Sequence, residues 1–219
     1  MKSAVALALG AAAVWGFIEV SDDVLEGEVD ALDRRILLAF RGADGAPLGP
    51  GWLQEMLRDF TALGGTGVLV FVTLAAVGFL LLDRKRYAAL TVLIAVAGGQ
   101  LLSTLLKLGF DRDRPDLVPH GMQVYTSSFP SGHAMMAAVT YLTLGALLAG
   151  VHASWRAKLY FLGVAVLITL VVGASRVYLG VHWPSDVAAG WAVGTGWACL
   201  CWAAMRALQR EGKVEGETA

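Results

Sequence analysis

Six stretches free of Asp, Glu, Lys, Arg and His recur along the chain, at 3–18, 66–82, 87–106, 134–151, 159–174 and 187–205. The third, fourth and sixth come close to the roughly 20 apolar residues that a tilted helix needs to cross the hydrocarbon; the other three borrow flanking residues to do so. Met1-Lys2 ahead of a short Ala-rich run fits a signal peptide as well as a membrane anchor. Trp15, Phe17 and Ile18 stand where small cleavage-site residues are expected, which favours the anchor. Between the first two stretches the period changes. Val29, Leu32, Ile36 and Phe40 recur at helical spacing with acids and arginines between them, predicting an amphipathic helix at the interface. The Gly- and Pro-rich stretch 42–51 predicts a loop, and 52–63 a second interfacial helix.

Composition agrees with the bilayer as solvent. Of 219 residues, 57% are hydrophobic and 16% charged, against roughly 45–50% and about 25% in soluble domains. The net charge of −1 offers no basic surplus for a nucleic-acid backbone, so a nucleic-acid partner is excluded. Cys199 and Cys201 lie two apart in one apolar run, about 200° apart on a helix, and neither pair nor share a metal easily. If Lys2 is cytoplasmic, so are Arg84, Lys85, Arg86, Arg156, Lys158, Arg206, Arg210 and Lys213, which makes nine of the 17 basic residues. The outer side then receives 21–65, where four arginines face nine acids, together with Lys107, Arg112, Arg114 and Arg176. The division expected is a first anchor or signal peptide (1–20), an outer interfacial segment (21–65), a five-span core (66–205) and a cytoplasmic tail (206–219).

Three polar clusters sit at span ends on the outer side, where few cations belong. Lys107 closes the third span and Arg114 follows seven residues later, on the same face if the helix persists to Pro115. Alone, these two read equally well as snorkelling flank charges. Ser128-Phe129-Pro130-Ser131-Gly132-His133 precedes the fourth span, and the open N–H groups of Ser131 and Gly132 at a helix N-terminus make an anion site beside a proton carrier. A lone interfacial histidine is more often an ordinary surface residue. Ser175-Arg176 ends the fifth span, and His182-Trp183-Pro184-Ser185-Asp186 opens the sixth. Pro184 in the first turn puts Asp186 within reach of His182, where it fixes the tautomer and leaves the other ring nitrogen as nucleophile or base. Taken singly this is equally a helix cap with a histidine nearby. Together the clusters supply three cations, two imidazoles, a carboxylate and a helix N-terminus on one face, the inventory of phosphoryl transfer. No His, Cys, Asp and Glu cluster at metal-ligand spacing accompanies them, so no metal or other cofactor is expected.

Lys107, six residues, Arg114-Pro115; Pro130-Ser131-Gly132-His133; and Ser175-Arg176, five residues, His182, three residues, Asp186 resemble the three-part signature of the type 2 phosphatidic acid phosphatase superfamily, over roughly residues 100–190. The layout is similar to its integral-membrane lipid phosphatases. The resemblance implies an all-α, six-helix membrane bundle, a phosphohistidine on His182 oriented by Asp186, and leaving-group protonation by His133. It further implies phosphate binding by Lys107, Arg114, Arg176 and the amides of Ser131 and Gly132. The expected substrate is a lipid phosphate in the bilayer: phosphatidic acid, phosphatidylglycerophosphate or undecaprenyl diphosphate. The expected place is the cytoplasmic membrane, with the site on its outer face. Three rivals stand beside it. An anion transporter is opposed by the absence of ionisable residues inside the five later spans. A vanadate-dependent haloperoxidase is opposed by the spans themselves, and a lipid phosphotransferase differs only in its acceptor.

Overall fold

The computed structural model describes residues 2–117 and 127–210. It contains α1 (Lys2–Glu26), α2 (Asp30–Leu38), α3 (Gly51–Ala62), α4 (Thr66–Leu82), α5 (Arg86–Gly109), α6 (Gly132–Val151), α7 (Trp155–Tyr178) and α8 (Pro184–Arg210). Among the described residues there is no strand, only an isolated bridge between Arg41 and Pro47. Helices α1, α5, α6, α7 and α8 are long and apolar enough to span a bilayer, and the total reaches six if α3 and α4, bent by 50° at a short break, count as one span. The expected all-α membrane bundle is what the chain forms, with five helices that qualify as spans alone; the sixth, α4, qualifies only together with α3, one of the two short helices between the first two apolar stretches. Phe71, Leu101 and Leu167 remain more than half exposed on these helices, as side chains facing lipid do.

Two helix ends explain how the chain turns back. After α4, Arg84 takes a left-handed φ of 59°, the Lys85 N–H reaches the Leu80 carbonyl and the Arg84 N–H that of Leu81. The same arrangement ends α7, where Gly180 at φ 73° lets the Val181 N–H bond Arg176 O and its own N–H bond Val177 O. Both are Schellman ends, and glycine meets the left-handed position at no steric cost. The second drops Val181 and His182 back over the end of α7, directly ahead of α8.

The bundle core is built on close helix contacts. A Cβ on Gly190 would lie 2.6 Å from Ser131 O, and one on Gly194 would lie 2.5 Å from Met135 O. These small residues, one helical turn apart, let the backbone of α8 lie against α6, where Ala134 and Ala138 face them. Gly10 and Gly196 do the same between α1 and α8. Two indoles tie helices to backbone: Trp191 Nε1 donates to Thr169 O over 3.0 Å and Trp197 Nε1 to Ala95 O over 2.9 Å. Leu32 on α2 and Phe40 just after it stay exposed, while Asp33 and Leu37 are buried. Leu37 joins a cluster with Ala134, Trp183 and Val187, which fixes α2 on the start of α8.

Candidate active site

The C-terminal ends of α5 and α7 and the N-terminal ends of α6 and α8 meet at one end of the bundle, and the predicted side chains come from these ends. Lys107 and Arg114 do not share a helical face as expected. Helix α5 stops at Gly109, Phe110 is extended, and 110–112 pairs with 127–128 through Ser128 N–H to Arg112 O (2.9 Å) and Ser127 Oγ to Phe110 O (2.6 Å). The two cations still converge, because both reach the Ser127 carbonyl, Lys107 Nζ at 2.7 Å and Arg114 Nη2 at 3.4 Å. A chain that leaves the helix early reaches the same point by an extended path.

His182 is buried, 2% exposed, with Nδ1 3.4 Å from Asp186 Oδ2 and 3.4 Å from Ser128 Oγ. Its Nε2 lies 3.1 Å from Arg114 Nη1. A guanidinium only donates, so Nε2 must be the unprotonated nitrogen and Nδ1 the one that carries hydrogen. Burial pushes the imidazole down to about 4 against the opposing pull of Asp186, with Arg176 and Arg114 adding to the depression. At neutral pH His182 is thus a neutral ring with a lone pair on Nε2, held from behind by a carboxylate.

Asp186 is fully buried and multiply held. Its Oδ2 accepts from the Trp183 N–H at 2.9 Å, closing the first turn of α8 by a capping contact, and also from Ser128 Oγ. Its Oδ1 accepts from Arg112 Nη1 at 2.8 Å. Arg112 was expected only as an outer-side charge, and Asp33 only as part of a polar helix face. The structure makes them partners, with Arg112 Nη2 2.9 Å from Asp33 Oδ2. Asp33 also accepts the Ser185 N–H at 2.9 Å and the Ser185 hydroxyl. Burial disfavours the Arg112 charge, but Asp186 and Asp33 outweigh it and hold its pKa above the ordinary value. Removing Arg112 leaves buried carboxylates without their cation, a cost on the order of 3–5 kcal/mol. Neither contact has a local sequence signal: Asp33 and Ser185 are 152 residues apart.

Arg176 is 1% exposed, and its Nη1 meets Thr61 Oγ1 of α3 at 3.2 Å. The break between α3 and α4 packs on the start of α6, since a Cβ on Gly64 would lie 3.0 Å from His133 O and 2.6 Å from Val172 Cγ1. His133 stands within electrostatic reach of Arg176, His182, Lys107 and Arg114. It lines a cavity of about 500 Å³ with Lys107, Gly132, Ser103, Gln100 and Thr104. Gly132 opens α6, where its N–H has no preceding turn to serve. The expectation for the Ser131 amide is corrected, because that N–H already donates to Asp186 O at 2.9 Å. The Ser131 hydroxyl, by contrast, is buried and has no partner among the described residues. Among the described residues, no group of three or more His, Cys, Asp and Glu side chains converges as a metal site.

Cations around an unprotonated, carboxylate-backed imidazole suit a phosphoryl group, and the helices that carry them are apolar enough to cross a bilayer. The class is that of membrane-embedded phosphoryl-transfer enzymes. Residues 88–210 match the PAP2 superfamily, and the chain belongs to it. Phosphatidylglycerophosphatase B of Bacillus subtilis is 34% identical over 145 residues, 65% of this chain and 70% of that protein. Lipid A 1-phosphatase of Rhizobium etli is 30% identical over 188 residues, 75% of this chain and 76% of that protein. Among solved structures, a transmembrane PAP2-type phosphatidylglycerolphosphate phosphatase from Bacillus subtilis aligns with a TM-score of 0.80 at 27% identity, covering 92% of this chain and 96% of that one. The chain is a multi-pass membrane phosphatase of this superfamily.

Proposed function

We propose that the protein hydrolyses the phosphate of a membrane lipid through a phosphohistidine on His182, at the outer face of the cytoplasmic membrane and without a metal. The observation that carries this reading is the environment of His182: Nδ1 backed by Asp186, and Nε2 unprotonated 3.1 Å from the guanidinium of Arg114. An incoming phosphate takes Arg114 as its partner and leaves Nε2 facing phosphorus. Lys107 and Arg176 neutralise the remaining oxygens, with the Gly132 N–H and Ser131 hydroxyl as neutral donors.

In the first step the Nε2–P bond forms, the P–O bond to the lipid alcohol breaks, and His133 gives its proton to the departing oxygen. In the second, water loses a proton to His133 and attacks phosphorus. The P–N bond then breaks, inorganic phosphate leaves, and both imidazoles return to their starting state. The cavity beside His133 lies on the leaving-group side, with Leu69, Leu108 and Met136 completing its wall. We assign 1–20 as an anchor, 21–65 as an outer segment, 66–205 as the catalytic core and 206–219 as a cytoplasmic tail.

The candidate substrates are phosphatidylglycerophosphate and undecaprenyl diphosphate, which the names of relatives carry, together with phosphatidic acid. The test is phosphate release by purified protein in detergent from a panel of these lipids, with and without chelator. Release from at least one lipid, unchanged by chelator, is the expected result. Inactivity on every lipid, or activity restored only by added magnesium, contradicts the reading.

A further inference from the structure

We propose that Asp33 is a positioning residue for this reaction: through Arg112 it holds the Asp186 carboxylate behind His182, so that α2 belongs to the catalytic apparatus although it contributes no group to the substrate. This rests on the assignment of His182 as the attacking group. Asp33, Arg112 and Asp186 close a hydrogen-bonded ring through the backbone of α8. Asp33 Oδ2 meets Arg112 Nη2 at 2.9 Å, Arg112 Nη1 meets Asp186 Oδ1 at 2.8 Å, and Asp33 Oδ1 returns to the N–H of Ser185, the residue before Asp186, at 2.9 Å. Arg112 Nη1 also donates to Ser185 Oγ at 2.7 Å, and its guanidinium carbon lies 5.8 Å from the centroid of the Trp183 ring. Asp33 and Asp186 are 2% and 0% exposed, so neither carboxylate has bulk water as an alternative partner.

The ring answers a physical problem in the site. Asp186 is a single carboxylate within electrostatic reach of Lys107 and Arg114, and its Oδ2 must stay at His182 when a phosphate enters among the cations. Arg112 fixes Oδ1, but a guanidinium fixed at one end still swings. Asp33 fixes the other end and is itself pinned to α8, the helix that carries Asp186. It also offsets one positive charge, so the balance felt by His182 depends on both partners.

Asp33→Asn separates these effects, because the amide oxygen can still cap the Ser185 N–H while the buried negative charge facing Arg112 is lost, leaving on that Nη2 only the exposed carboxylate of Asp30 at 3.3 Å. Its kcat should fall about 10–100-fold, as for other outer partners of a catalytic group, while KM stays within about threefold. The second readout needs no turnover: a nitrogen-15 NMR titration of His182 in histidine-labelled protein without substrate, its resonance identified by its loss in His182→Gln. The groups facing His182 are Asp186 of α8, Arg114 of the 110–117 segment, Arg176 of α7, Lys107 of α5, His133 of α6 and the neutral Ser128, and none of them is altered. Arg112→Gln should raise the His182 midpoint by about one unit and Asp33→Asn should lower it. The double variant should return the midpoint toward wild type while kcat stays low, because charge is rebalanced and position is not.

A purely structural Asp33 would lower the folded fraction, leave kcat per folded molecule within twofold, and produce no opposed shifts; that result overturns the proposal. Failure of the phosphatase reading is a different outcome, in which the wild-type protein releases no phosphate from any lipid while the titration still reports the coupling.

Discussion

At His182 the decisive quantity is which ring nitrogen carries the proton. Arg114 can only donate to Nε2, so the lone pair is on the nitrogen proposed to attack, and burial keeps the ring neutral down to about 4. Because that value lies below the ordinary 6.5, the unfolded chain binds more protons between about 4 and 6.5, and folding stability falls as pH drops through that window. His133 has no such backing carboxylate among its nearest charges, which are cations and the other imidazole. An incoming phosphate dianion offsets those cations, and in that state His133 can hold the proton that it donates. Removing His133 should cost about 10²–10⁴ in phosphoenzyme formation on a lipid monophosphate, whose alkoxide is a poor leaving group. An activated aryl phosphate leaves as a stable anion, so His133→Ala should lose far less there. Rapid-quench measurement on both substrates checks this, and equal losses take the leaving-group role away from His133.

Helix starts were more legible than helix ends. Pro184 and the Ser131-Gly132 pair mark where α8 and α6 begin, and both helices start there. The seven-residue interval from Lys107 to Arg114 fits a continuous helix, yet Gly109 ends it and Phe110 turns extended, where the Ser127 hydroxyl and the Ser128 N–H supply hydrogen bonds to the carbonyls of Phe110 and Arg112. The Ser131 amide departs from its sequence reading for a related reason. A free N–H at a helix start is a local property, while the carbonyl that takes it belongs to Asp186 on another helix. Asp33 is the sharpest case. A carboxylate on an amphipathic helix reads as a solvated face, and only the docking of α2 on α8, through Leu37, Trp183 and Val187, turns it inward. Side chains that act within their own helix turn can be read from spacing; those that act between elements need the packing.

Over the whole molecule, chemistry and basic charge sit at opposite ends. Lys107, His133, Arg176 and His182 gather at one end, whereas the connection 83–85 between α4 and α5, the connection 152–154 before α7 and the last turn of α8 lie at the other. Arg84, Lys85, Arg86, Arg156, Lys158 and Arg206 fall at that second end, and the bias of basic residues supports the proposal that it faces the cytoplasm. In a background with Cys199 and Cys201 changed to Ala, a single cysteine in the 42–51 loop should react with a membrane-impermeant thiol reagent in intact cells. One replacing Arg84 should react only after the membrane is opened. The reverse pattern moves the site to the cytoplasmic face and its substrates to the inner leaflet.

The central step of the proposed reaction is a covalent bond between phosphorus and His182, and that bond can be trapped. Protein mixed with lipid carrying a radiolabelled phosphomonoester and quenched within one turnover should hold label that survives alkali and is lost in acid, as a phosphoramidate is. The label should map to the peptide containing His182 and be absent from His182→Ala. Rapid phosphate release with no trapped label in wild type, or near-normal release by His182→Ala, contradicts the mechanism.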